Sequence, residues 1–226
     1  MAIYVTSDAH GHVRALDEAL SKISLASDDT LYVLGDMIDR GPDPVGVIKL
    51  VRSLPNARVL KGNHEQIMLD AIIGQDPLDA ETWDINGGWT TRQQLNDMEF
   101  EAYEELVRWM APLPLYAVVE TDERPYLLVH AGIQTEAARA FLLEHGVDCA
   151  DGAGAVDADR ELLKQMLAVQ SSDDLLWIRH GYWDAPTGLL SAEGKGPVVV
   201  SGHTPTVSLG RYCEVGGLAG LDEESG

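Results

Sequence analysis

Leu31-Tyr32-Val33-Leu34-Gly35-Asp36-Met37-Ile38-Asp39-Arg40-Gly41 is the stretch from which the fold can be read. Its four apolar residues form a run of buried-strand length, which stops at a glycine followed by a carboxylate. Upstream, Ile3-Tyr4-Val5 ends in the same way at Ser7-Asp8. Between the two runs, Val13, Leu16, Leu20 and Ile23 recur at helical spacing. Downstream, Pro42 and Pro44 punctuate a turn, and Val47, Val51 and Leu54 suggest a helix ended by Pro55. Arg58-Val59-Leu60 is a third short strand, stopping at Gly62-Asn63-His64. Strands alternating with helices predict βαβ units and a parallel sheet, an α/β fold class.

Residues 74–114 break this rhythm with an Asn86-Gly87-Gly88-Trp89 turn signal and an acidic helical stretch, Glu99 to Met110. They are expected to form a mostly helical insertion within a single domain spanning residues 1–226. Beyond Pro114, Tyr116–Glu120 and Tyr126–Val129 flank a polar turn and predict a hairpin. Thr135–His145 and Arg160–Val169 read as helices, Cys149–Asp157 as a small-residue loop, and Val198–Val200 as one more buried strand.

The 226 residues are 45% hydrophobic and 23% charged, which excludes disordered, collagen-like and coiled-coil classes. With 16 basic and 37 acidic residues the net charge is −21, so the surface repels nucleic-acid backbones and anionic membranes, and neither is expected as a partner. No apolar run is long enough to span a bilayer. MAIYVTSD enters a strand pattern without a basic leader, and Cys149 and Cys213 form neither a disulfide framework nor a zinc motif; a reducing cytoplasm is the expected compartment.

Five apolar runs end in side chains able to bind metal: Asp8-Ala9-His10-Gly11, Gly35 to Gly41, Gly62-Asn63-His64-Glu65, His130-Ala131-Gly132 and Gly202-His203-Thr204-Pro205. Each alone has a plainer reading as a turn, a loop or, for Asp36 and Asp39, a helix cap. Taken together and in order they point to one site, because ligands of open α/β sheets bind at the carboxyl ends of strands. A mixed set of Asp, Asn and His suits Mn, Fe or Zn better than Ca or Mg.

These motifs resemble those of the calcineurin-like metallophosphoesterases, in their phosphoprotein phosphatase branch and its bacterial and phage serine/threonine phosphatases; Asn86-Gly87-Gly88 and Leu175-Leu176-Trp177-Ile178-Arg179 also match that bacterial group. The resemblance covers residues 3 to about 206 and implies two mixed sheets packed face to face and flanked by helices. It implies two divalent metal ions, Mn first, with Fe or Zn as alternatives. Asp8, His10 and Asp36 would hold one, and Asp36, Asn63, His130 and His203 the other. A water between the two would lose a proton and attack phosphorus directly. His64 would protonate the leaving oxygen, Asp39 would hold and orient its imidazole, and Arg40 and Arg179 would grip the phosphate. For Arg179 the plainer reading is a surface cation near Asp173 and Asp174.

The implied activity is phosphomonoester hydrolysis, on a phosphorylated protein at serine or threonine or on a small phosphoester. A dinucleoside polyphosphate hydrolase of the same fold is the nearest alternative. Glu65 and Thr204-Pro205 favour the protein-phosphatase group, since those relatives typically carry Asp at the first position and lack Thr-Pro at the second. An inactive phosphate- or protein-binding module is the alternative of another class. The chain departs from the family after Pro205: Arg211–Val215 could be a strand, but no Asp-Thr-Gly segment follows.

Overall fold

The computed structural model describes residues 1–74, 76–149, 152–183 and 186–209. Strands β1 (Ile3–Thr6), β2 (Thr30–Val33) and β3 (Ala57–Val59) form one sheet in that order. All its pairings are parallel, because helices α1 (Val13–Ile23) and α2 (Pro44–Ser53) return the chain from each strand to the start of the next. Strands β4 (Tyr116–Glu120), β5 (Pro125–Val129) and β6 (Val198–Val200) form the second sheet, which is mixed: β4 and β5 are an antiparallel hairpin and β6 lies parallel to β5. Arg211–Val215 lies outside the described residues.

Alternation along the strands builds the layers. In β2, Leu31 and Val33 pack under the helices while Tyr32 faces the other sheet. In β5, Leu127 and Val129 pack against the far helical layer, and Tyr126 and Leu128 turn inward. Leu34, Leu60, Val119 and Leu128, with Ile3, Tyr32 and Val200, form the seam between the two sheets, which therefore pack face to face as expected. The outer layer on the first sheet also contains α3 (Asn63–Ile73), α4 (Pro77–Ile85), α5 (Trp89–Asn96) and α6 (Phe100–Met110). On the second sheet it contains α7 (Thr135–Glu144), α8 (Arg160–Ala168) and α9 (Ser172–Trp177).

Caps fix where several helices begin. Asp43 accepts from the Gly46 N–H before α2, with Pro44 in the first helical turn. Asp76, Asp159 and Ser171 cap α4, α8 and α9 in the same way. The consequence for function is directional: β1, β2, β3, β5 and β6 all end on motif residues, so five strand ends are brought to one side of the sandwich.

Leu128 is 1% exposed in the seam, whereas Val5 is 40% exposed. Leu128→Ala is expected to lower the unfolding free energy by about 2–5 kcal/mol. Val5→Ala should change it by less than about 0.5 kcal/mol. Urea titrations followed by circular dichroism measure both.

Candidate metal centre

The loops that follow the strands are tied to one another by backbone hydrogen bonds. The Asp8 N–H donates to Gly35 O, His10 N–H to Asp36 O and Gly11 N–H to Met37 O, at 3.1, 2.9 and 2.9 Å. Across the sandwich the Gly202 N–H donates to His130 O at 2.8 Å. Six of the seven non-glycine residues with positive φ among the described residues lie here: Asp8, His10, Asp36, Asp39, Arg40 and His203. Such backbone is sparsely populated and persists only where its surroundings enforce it. One enforcing contact is the approach of two glycines: a Cβ on Gly35 would collide with the Gly62 backbone, and one on Gly62 with Asp36.

Glu65 supplies the strongest local tie. It is fully buried, and its carboxylate accepts from the backbone N–H groups of Asp36, Met37 and Gly62, each at 2.8 Å. The loops after β2 and β3 are thus held by one side chain. Sequence reasoning used Glu65 only to compare substrate classes; its position three residues after Gly62, at the third residue of α3, is the signature that could have revealed the tie. The first turn of α3 adds a second tie, with the His64 N–H donating to Asp36 Oδ1 at 3.0 Å.

Around Asp36 the predicted ligands His10, Asn63, His130 and His203 come together. His130 Nε2 lies 2.9 Å from Asn63 Oδ1 and 3.2 Å from His203 Nδ1, which is itself 3.0 Å from Asn63 Oδ1. Asp36 Oδ2 is 3.5 Å from His130 Nε2 and 3.6 Å from His10 Nε2, so one carboxylate oxygen faces two groups of donors. The orientation of the rings is set from behind: His130 Nδ1 meets Leu34 O at 2.7 Å and His10 Nδ1 meets Ile38 O at 2.9 Å. Both therefore carry the proton on Nδ1 and aim the Nε2 lone pair into the site. His130 Nε2 and Asn63 Oδ1 are then two acceptors facing each other, an arrangement that a cation balances. Atoms ligating one first-row dication stand about 3.0–3.4 Å apart, and the separations here, 2.9 to 3.6 Å, lie around that range.

The electrostatics agree with that donor set. Burial pushes His10 and His130 down to about 4, and His203 down to about 3, so all three imidazoles are neutral and ligand-competent at pH 7. Burial, and next the Glu65 charge, push the Asp36 carboxyl upward; a dication beside it would hold it ionised. Asp8 is turned toward His203, accepting from its N–H at 2.9 Å. In the first group the structure places His64 beside His10 and Asp36, with His10 and His64 edge to face at 4.6 Å.

His64 is nevertheless engaged elsewhere. It is fully buried, and its Nδ1 lies 2.7 Å from Asp39 Oδ2. Arg40 spans the two imidazoles, with Nη1 3.0 Å from His10 Nε2 and Nη2 2.8 Å from His64 Nε2. Arg179 reaches the site rim through the carbonyl of His203, at 3.4 Å, and among the described residues no ion pair joins it to Asp173 or Asp174. The Asn86-Gly87-Gly88 turn is more than a plain loop, because Gly87 O accepts from the Arg40 N–H at 3.0 Å. Tyr182 packs against Gly132, and the Trp183 indole donates to Thr204 Oγ1 at 3.2 Å.

The calcineurin-like phosphoesterase family model matches residues 1–220. The symmetrical bis(5'-nucleosyl)-tetraphosphatase of Proteus mirabilis (strain HI4320) is 29% identical over 220 residues, which are 94% of this chain and 68% of that protein. The protein of the same name from Erwinia tasmaniensis is 32% identical over 136 residues, 59% of this chain and 45% of that one. The chain thus spans between about half and two thirds of the length of these relatives. Among solved structures, a protein serine/threonine phosphatase from Saccharomyces cerevisiae is 20% identical at a TM-score of 0.45, covering 60% of this chain and 39% of that chain.

Glu65→Gln places an amide N–H₂ against backbone donors, so at least one buried N–H loses its acceptor. The expected loss is about 1–3 kcal/mol of stability, with weaker metal binding because the loops of Asp36 and Asn63 are no longer joined. Urea denaturation and calorimetric Mn titration test the two effects together; full affinity in a destabilised variant would confine Glu65 to the fold.

Proposed function

This chain belongs to the calcineurin-like phosphoesterase family and is a metal-dependent phosphoesterase, and from that premise we propose that it cleaves dinucleoside polyphosphates at a two-cation site. The observation carrying the site is the single Asp36 oxygen facing both the His10 and the His130 lone pairs. Asp8, His10 and Asp36 would hold one ion, and Asp36, Asn63, His130 and His203 the other, with Mn the favoured metal and Fe or Zn also suited to the donors. When bound, the pair supplies positive charge for the phosphoryl oxygens and acidifies water.

The remaining work falls to this chain's own residues. Arg40 and Arg179 bind phosphoryl oxygens, for which Arg40 must turn from the two imidazoles it spans. His64 passes a proton from Nε2 to the leaving oxygen while Asp39 fixes its Nδ1–H. One domain carries all of these groups. Among the described residues no helix is long and apolar enough to cross a membrane. Cysteine usage supports the reducing cytoplasm as the compartment.

The choice of substrate rests on the relatives' names and on the loss of two arguments for a phosphoprotein. Glu65 is wholly occupied by backbone N–H groups, and Thr204 Oγ1 accepts from the Trp183 indole, so both residues answer to the fold rather than to a substrate. A second reading, hydrolysis of phosphoserine or phosphothreonine, is favoured by the Leu175–Arg179 segment.

A panel of diadenosine tetraphosphate, a phosphoserine peptide and 4-nitrophenyl phosphate with added Mn decides between them. The highest kcat/KM is expected on the tetraphosphate; a higher value on the peptide would establish the second reading. Arg179→Ala should lower kcat/KM by about 10–100-fold, as expected for losing a hydrogen bond to a charged group. Its metal content by elemental analysis should stay unchanged.

A further inference from the structure

The helices α4 and α5 carry two side chains that no step above uses, and both end on Asp39. The Trp83 Nε1–H reaches Asp39 Oδ1 and Oδ2 at 3.0 and 3.1 Å. Thr91 Oγ1 lies 2.6 Å from Asp39 Oδ1 and 2.9 Å from the Asp39 N–H. The direction of each bond follows from the inventory of donors. The Asp39 N–H can only donate, so Thr91 Oγ1 accepts from it and sends its own proton to the carboxylate. The indole N–H can only donate as well. Asp39 is therefore held by three side-chain donors, Thr91, Trp83 and His64, with none of the four residues more than 3% exposed.

We propose that Trp83 and Thr91 are positioning residues for the reaction, fixing the Asp39 carboxylate so that His64 keeps Nδ1 bonded and Nε2 aimed at the leaving oxygen. Asp39 sits at φ +68, and among the described residues the donors to its carboxylate are all side chains. The Thr91 hydroxyl clasps it from both ends, main chain and side chain, and the indole bridges its two oxygens. Gly88 is part of the device, since a Cβ there would drive into the Trp83 ring. The turn at residues 86–88 anchors Arg40 through Gly87 O as well, so the helical segment grips the Asp39-Arg40 corner from two sides. Packing alone would be served by Phe and Val at these positions; the hydrogen-bond donors are what the proposal requires.

The inference rests on the general-acid role of His64, and its test separates the two. The 226-residue chain is prepared as wild type, Thr91→Val, Thr91→Ser and Trp83→Phe, loaded with Mn for the assays and with diamagnetic Zn for the spectra, with folding checked by circular dichroism. In ¹⁵N-labelled protein the His64 Nδ1 proton, identified by its loss in His64→Asn, should be retained in Thr91→Ser and be shifted or lost in Thr91→Val and Trp83→Phe. On phenyl phosphate, whose leaving group is the more basic, Thr91→Val should lower kcat/KM by about 10–100-fold, a part of what general acids contribute. On 4-nitrophenyl phosphate the loss should be under about threefold, because that leaving group hardly needs a proton. Metal content should not change. An unaltered Nδ1 signal in folded Thr91→Val, or equal losses on the two esters, overturns the positioning role. If the wild type cleaves neither these esters nor diadenosine tetraphosphate, the proposed function fails, while the Nδ1 signal still decides whether Trp83 and Thr91 set the His64–Asp39 pair.

Discussion

A buried carboxylate bound to three backbone N–H groups stands at the centre of this structure. Glu65 has no cation of its own among its bonds; the Asp36, Met37 and Gly62 amides take that place. Such a group is expensive to bury and becomes tolerable only when each lone pair finds a donor. The same bonds define the geometry of everything around them. They hold Asp36 in left-handed backbone, bring the end of β2 against the start of α3, and leave Met37 and Ile38 buried in the helical layer. Because Asn63 and His64 follow directly, two groups with different tasks are placed by the same contact.

The site divides its labour between halves of the sandwich. The parallel sheet delivers carboxylates and the His10 ring, and the mixed sheet delivers His130 and His203 from adjacent parallel strands. Neutral imidazoles on one side and carboxylates on the other give a donor set that binds cations without accumulating uncompensated charge. Among the described residues, the helices α4, α5 and α6 place no side chain in either donor group. The contribution of this segment is to Asp39 and Arg40, of which the first holds the His64 ring and the second spans His10 and His64.

Much of this was legible in order along the chain. The five strand-end motifs sit where the apolar runs end, and α1 and the hairpin fall where spacing placed them. The helices α3 and α9 were not foreseen. The apolar run ending at Gly62-Asn63-His64 predicts a strand end, whereas Asn63 opens a helix, and the six residues of α9 are too few to show a helical period. Trp83 and Thr91 could not be found, because an indole and a hydroxyl on helices look like core and surface until the partner 44 and 52 residues away is known. Burial hid Glu65 in another sense: as a comparison marker it pointed toward a substrate, whereas its bonds are all internal.

The concentration of left-handed residues at the strand ends has an evolutionary consequence. Each such residue costs on the order of 1–3 kcal/mol unless its side chain tolerates the conformation. Aspartate and histidine tolerate it best after asparagine and glycine, and they occupy all of these positions except that of Arg40. Glycine would relax every one of them while deleting the side chain that binds or grips. At Asp8, Asp36 and Asp39 that deletion would also leave the His203 and His64 amides and the Thr91 and Trp83 donors without their acceptor. Each orphaned donor costs about as much as the strain relieved, so the bonds that shape the centre also protect it against drift toward glycine.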